Sequence, residues 1–205
     1  MKFPTEIREE AAQTNRSSSS NFNRFALMAR HSAGTRRQRV VAVARTDTFK
    51  ASKAVRFVSG IFSRTLEREG IHLNIELDQD VQMYARYGAF NQVLNNLVDN
   101  AIYWLRQEPR AKRAILIRLN TSRRRLLVAD SGPGIDASIR PYLFKPGYSL
   151  RVPPSGLGLY IASHYLAGMG ASIHEASLYE QAEEFTGAHF IIDLSRTPNS
   201  KETAK

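Results

Sequence analysis

The most constraining feature of this chain is a helical run in which amides and a carboxylate are set into an otherwise apolar pattern. Phe90, Val93, Leu94, Leu97, Val98, Ala101, Ile102 and Leu105 recur at helical spacing and define one buried face of a helix over 87–107. Pro109 follows its end. Asn is a poor helix former, so Asn95, Asn96, Asp99 and Asn100 need a reason to stand together. Asn96 and Asn100, at i and i+4, share one face; Asn95 and Asp99 form a second pair beside it. Two further signals follow in order. Asp130 ends an apolar strand and leads into Ser131-Gly132-Pro133-Gly134-Ile135, and Gly156-Leu157-Gly158-Leu159 opens a helix over 158–169. An amide-bearing helix, a strand ending in Asp and a glycine turn entering a helix together point to a nucleotide pocket.

The rest of the chain supplies a sheet and its cover. Ala54, Val55, Val58, Ile61, Phe62 and Leu66 form one helical stripe over 49–69, stopped by Gly70. Ile71 to Leu77 alternates as a half-buried strand, with 81–84 as a short partner, and 114–119 with 125–129 reads as a hairpin. Strands over 171–177 and 188–194 form a second hairpin. The stretch 130–155 has turn chemistry throughout, and a loop of that length inside a domain is functional or mobile. The expected class is α+β, with a mixed sheet and helices on one face. Residues 1–50 read as a partly helical basic extension or linker from an upstream region, 51–196 as the nucleotide domain and 197–205 as a polar tail. The polar run 17–21 reads as a flexible link.

Composition narrows the function classes. The chain has 205 residues and no cysteine, which excludes disulfides and thiolate chemistry and fits a reducing, cytoplasmic setting. No apolar run approaches the ~18 residues of a membrane span, and the N-terminus lacks the apolar core of a secretory signal. The five histidines show no metal-ligand spacing. A net charge of +10 attracts polyanions, which leaves nucleic acid, acidic protein and nucleotide open as partners. A solvated basic surface is the plainer account of the same charge.

Each signal has its own chemistry and its own bland reading. A carboxylate at a strand end accepts a hydrogen bond from an exocyclic amine, which adenine offers at its six-position and guanine does not. Gly132 and Gly134 let a backbone approach the ligand; an Asx turn closing a strand explains the same residues. Backbone N–H groups at Gly156, Leu157 and Gly158 form an anion site at a helix start. This is neither a Walker loop nor a dinucleotide fingerprint, because no Gly-Lys-Ser/Thr follows and no strand leads directly into it. The amide oxygen of Asn100 can complete a Mg²⁺ shell shared with phosphate oxygens and water.

Taken jointly, these motifs resemble the ATP-binding domain shared by gyrase B, heat-shock chaperones, histidine kinases and MutL, a two-layer α/β sandwich of the Bergerat (GHKL) type. Asn96-Leu97-Val98-Asp99-Asn100-Ala101 is similar to its N box, and Asp130-Ser131-Gly132-Pro133-Gly134-Ile135 to its first glycine box. Leu143-Phe144-Lys145-Pro146-Gly147 stands in the place of its F box, and Gly156-Leu157-Gly158-Leu159 in that of its second glycine box. The resemblance implies ATP under a mobile lid over 140–155, Mg²⁺ on Asn100, adenine on Asp130, and ATP contacts from Asn96, Tyr103, Gly132, Gly134, Ile135, Lys145, Gly156, Leu157, Gly158 and Leu159. Asn96 and Asn100 are then the catalytic positions.

Within that superfamily the hydrolysing branches carry a Glu four residues before the N-box Asn. Asn96 stands there, and an amide cannot take a proton from water. The chain therefore resembles the histidine kinase branch, whose reaction is phosphoryl transfer to a histidine. Tyr103 replaces the usual basic residue and Lys145 a usual acidic one. Arg106 or Arg151 could meet a phosphate. His31 has no acidic neighbour and reads as a surface residue, so the acceptor histidine belongs to an upstream sensor region or a partner protein, with a homodimer as one arrangement. The rival readings are a nucleotide-gated module that binds protein or nucleic acid, and a degenerate domain without nucleotide.

Overall fold

The computed structural model describes residues 46–77, 79–151 and 156–200. The flexible link 17–21, His31 and the basic part of the extension lie outside the described residues, as do Pro153, Pro154 and the end of the tail. The elements are β1 (Asp47–Lys50), α1 (Ala51–Glu69), β2 (His72–Leu77), β3 (Gln82–Ala85), α2 (Tyr87–Leu105), β4 (Ala114–Asn120), β5 (Arg125–Asp130), α3 (Gly158–Ala167), β6 (Ser172–Glu175) and β7 (His189–Asp193). Five strands make one sheet in the order β2-β4-β5-β7-β6. β2 and β4 run parallel and the other neighbours antiparallel, so the sheet is mixed, as expected.

Side-chain parity sorts the two faces. Ile115, Ile117 and Leu119 of β4 and Leu126 and Val128 of β5 share a core with Val55 and Val58 of α1, Phe90, Leu94 and Leu97 of α2, and Ala162 and Leu166 of α3. Each such large apolar side chain contributes roughly 1.5–3 kcal/mol on burial. Leu116, Leu127, Ala129 and Ile191 form a smaller cluster with Ala176, Ala182 and Phe185 that includes no helix residue. The helices thus line one face, and part of segment 176–185 covers the other.

α2 buries all eight of the apolar positions expected of it. α1 buries Ala54, Val55, Val58 and Leu66, but Ile61 is 51% exposed, contrary to expectation. The line of i, i+4 neighbours through Ala54, Val58, Phe62 and Leu66 faces the core, and Ile61 sits about 100° round the helix from Phe62. Gly70 ends α1 in the left-handed region at φ 64, donating its N–H to Glu67 O, while Ile71 N–H reaches Leu66 O at 2.9 Å. Arg113 locks both helix ends. Its guanidinium donates to the carbonyls of Glu69, Arg106 and Glu108 at 2.9, 3.0 and 2.8 Å, satisfying acceptors at the end of α1, at the cap of α2 and in the turn after it.

Two boundaries and one strand pairing differ from the sequence expectation. Asp47–Lys50, assigned to the extension, is a strand that pairs antiparallel with β3 in a separate two-stranded sheet. β3 is therefore not the partner of β2, whose neighbour is β4. Four residues are too few to display a period, and a ladder is formed by whichever strand lies alongside. Thr197, at the start of the expected tail, is buried, and Pro198 O accepts from Tyr84 N–H at 2.7 Å, so the chain beyond β7 is anchored on β3. Among the described residues no helix is long and apolar enough to cross a membrane.

Candidate functional site

Asp130 is the last residue of β5 and continues the inward series of Leu126 and Val128, so its carboxyl faces the helix layer. It is 4% exposed. Oδ1 accepts from Gly132 N–H at 2.9 Å and Ala188 N–H at 3.1 Å. The main chain of the same residue pairs twice with the turn before β7, Asp130 N–H to Ala188 O at 3.0 Å and Gly187 N–H to Asp130 O at 2.9 Å. Oδ2 accepts no hydrogen bond from a described residue. Burial pushes the carboxyl up to about 6, partly opposed by the N–H groups of Gly132 and Ala188 and by nearby His189. Asp130 is thus a buried acid with one oxygen committed and the other available.

The glycines around it are held by space as much as by conformation. A Cβ at Gly132 would lie 2.9 Å from Asp130 Oδ1, and one at Gly187 would lie 2.0 Å from the same oxygen. Gly134 has φ 78, a left-handed conformation. Ser131 pins the start of the turn to β4, its Oγ accepting from Ala114 N–H at 2.8 Å. Ile135 is half-buried and packs against the core, as does Leu159 at the start of α3. Trp104 lies next to this turn, its Cβ 3.6 Å from the position a Gly132 Cβ would take.

On α2, Asn96, Asn100 and Tyr103 fall on one helical face at i, i+4 and i+7. The amide of Asn96 is spoken for at both ends: Nδ2 donates to Gly158 O at 3.0 Å, and Oδ1 accepts from Gln92 at 3.1 Å. It therefore ties α2 to the first residue of α3, while a Cβ on Gly158 would meet Asn96 only at ordinary contact distance, 4.0 Å. Asn100 is half-buried, and its side chain makes no hydrogen bond to another described residue. The Tyr103 ring stands edge-on to Trp104 at 5.1 Å. Arg106, a sequence candidate for phosphate, pairs instead with Glu69 at 3.1 Å, where it joins the ends of α1 and α2.

Lys145, Gly156 and Leu157 fall outside the compact unit that holds Asp130 and the three helices, in a unit that includes 145–157. Within that stretch Gly147 N–H donates to Gly156 O at 2.9 Å. Gly156 takes φ 57, and a Cβ there would come within 2.7 Å of the Gly147 backbone, so this pairing needs glycine. Lys145 is exposed. Among the described residues no three His, Cys, Asp or Glu side chains converge to hold a metal. A single amide oxygen at Asn100 fits a Mg²⁺ ion that draws its remaining ligands from phosphate and water.

Sequence reasoning missed the Gly187-Ala188 backbone clasp on Asp130, and with it His189 and Trp104. The clasp joins residues 58 apart in the chain through main-chain atoms, which leave no side-chain signature.

Comparison with known proteins bears on this arrangement. Residues 86–198 match the family model described as histidine kinase-, DNA gyrase B-, and HSP90-like ATPase. The chain is 34% identical over 122 residues to the signal transduction histidine-protein kinase/phosphatase MprB of Mycobacterium ulcerans, covering 55% of this chain and 24% of MprB. It is 31% identical over 122 residues to the autoinducer 1 sensor kinase/phosphatase LuxN of Vibrio campbellii, covering 58% of this chain and 14% of LuxN. It thus spans about a quarter or less of these relatives. The nucleotide-free catalytic domain of histidine kinase ThkA superposes with a TM-score of 0.59 at 25% identity, covering 78% of this chain and 99% of that one. Full-length ShkA, solved with AMPPNP, shares the fold at TM-score 0.59 and 23% identity, covering 76% of this chain and 32% of ShkA.

Proposed function

We propose that this chain, which belongs to the histidine kinase-, DNA gyrase B- and HSP90-like ATPase family, uses Asp130 to select ATP and serves phosphoryl transfer to a histidine on another segment or protein. The observation that carries this reading is Asp130 itself. A buried carboxylate is costly to keep unless something pairs with it. Oδ1 is held by two backbone N–H groups, and Oδ2 is left to accept from the adenine amine. Gly132 keeps the approach clear.

The other residues take roles that follow from their chemistry. Asn96 holds the start of α3, whose free N–H groups favour phosphate. Asn100 supplies the amide oxygen for Mg²⁺, which neutralises phosphate charge when bound. An amide stands at position 96, so that position offers water no general base. Transfer of the phosphoryl group to an external acceptor is the reaction these residues support. Residues 1–46 are read as a linker from an upstream sensor or acceptor region, in a cytoplasmic two-component kinase, with a homodimer as one arrangement.

The test is calorimetric titration with ATP followed by transfer of label from γ-labelled ATP to a full-length chain or partner. Wild type should bind ATP and label an acceptor; absence of label with every acceptor offered would overturn the transfer reading. Asn100→Ala should weaken ATP binding with Mg²⁺ present and leave binding in excess chelator unchanged. An equal loss in both conditions would remove the metal role.

A further inference from the structure

The turn that clasps Asp130 is itself held by one buried side chain. His189, the first residue of β7, sits opposite Ala129 of β5 and is 2% exposed. Its parity places it on the face away from the helices, beside the apolar cluster of Ala129, Ala182 and Phe185. A polar ring in such surroundings must find partners, and each ring nitrogen has a turn carbonyl within reach. Nδ1 lies 3.1 Å from Gly187 O and Nε2 lies 3.3 Å from Ala182 O. One tautomer donates to Gly187, the other to Ala182, and the protonated ring to both. A neutral ring therefore ties one end of the turn 182–187 and packs against the other, and only the protonated ring donates to both ends.

That turn has no slack on its other side. Gly187 N–H and Ala188 N–H both reach Asp130, at 2.9 and 3.1 Å. A Cβ at Gly187 would lie 2.5 Å from both Asp130 O and Gly132 N as well as 2.0 Å from Oδ1. A displacement of the turn is therefore passed to the carboxylate.

We infer that His189 is a positioning residue for base recognition: by bracing the 182–187 turn from behind, it sets the direction in which Asp130 presents its free oxygen to a six-amino purine. The inference rests on the adenine reading of Asp130, and its role is distinct from contact with the ligand.

The experiment compares two ligands on the full chain with Mg²⁺: ATP, and purine ribonucleoside triphosphate, which lacks the six-amino group. Wild type should prefer ATP by roughly ten-fold or more, the worth of a hydrogen bond to a charged group. His189→Phe, which keeps the bulk and loses both nitrogens, should bring that ratio close to one while retaining affinity for the purine analogue. His189→Gln, whose amide can still donate to a turn carbonyl, should keep most of the preference. If the Phe variant does not fold, His189→Met takes its place in the same comparison. A preference unchanged in the apolar variant overturns the inference while leaving the role of Asp130 standing. Equal loss of both ligands also overturns it, since that is the mark of a merely structural residue. A wild type that binds without discriminating sinks the adenine reading and the inference together.

Discussion

Replacing Asp130 by Asn should make the empty domain more stable at pH 8 than the wild type, and the gain should shrink as pH falls below 6 and vanish below the unfolded carboxyl value of 3.8. Burial lifts the folded-state pKa of Asp130 from 3.8 to about 6. A carboxyl whose folded pKa is raised favours folding most when it is protonated. Its contribution is complete below the unfolded value and is lost as pH rises through 6. Each unit of difference is worth about 1.36 kcal/mol, so the ionised group costs the empty protein about 3 kcal/mol at neutral pH. Asn keeps an acceptor oxygen for Gly132 and Ala188 and carries no charge. At pH 8 the variant should therefore gain up to about 3 kcal/mol, or roughly 6–12 °C in melting temperature for a domain of this size. Urea denaturation of both proteins from about pH 3.5 to 8 reads the effect directly. Saturating ATP should erase the advantage, because the variant can no longer accept from the adenine amine. A stability difference independent of pH, or an Asn variant weaker at pH 8, would refute the claim that desolvation of this carboxylate is stored for ligand binding.

Three further outcomes follow from the same structure. Gly132→Ala should lower ATP affinity by an order of magnitude, since its Cβ would press on Asp130 Oδ1 at 2.9 Å, whereas Gly158→Ala, with its nearest neighbour at 4.0 Å, should bind nearly normally; calorimetry on both separates a packing effect from a general loss of flexibility. Asn91→Leu should be neutral or stabilising by about 1 kcal/mol in urea melts, because Asn91 Oδ1 is buried without a hydrogen-bond partner among the described residues; a clear loss would mean the amide is paired in solution. Arg113→Met should cost roughly 3 kcal/mol by the same measurement, because three carbonyls, two at helix ends and one in the turn after α2, lose a donor whose side chain is only 12% exposed.

The parts of the fold that repeat locally were readable in the chain. The eight apolar positions of α2 and the alternation in β4 and β5 carry their own period, and Asp130 with its glycine turn announces a strand end. What escaped was non-local. Nothing in Asp47–Lys50 says that it pairs with β3, and the parallel partner of β2 lies beyond a whole helix. Arg106 looked available for phosphate because its partner Glu69 sits on a different helix. Of the site, side chains on one helix face could be grouped by spacing. The backbone clasp from 187–188 could not, since it is made by amides common to every residue.

The short β1–β3 ladder links the start of the described chain to the nucleotide helix. β3 passes into α2 through a single residue, Arg86, whose carbonyl takes the N–H groups of Ala89 and Phe90. β1 is paired with β3 over all four of its residues, and Ala51 N–H, at the first position of α1, donates to Val81 O, next to β3. A twist applied to the main chain at Asp47 therefore cannot be absorbed within β1. The hydrogen bonds of β1 carry over to β3 and so to the N-terminus of α2, the helix that bears Asn96 and Asn100. The described chain thus enters the domain on a strand stitched to the segment that leads into the amide-bearing helix.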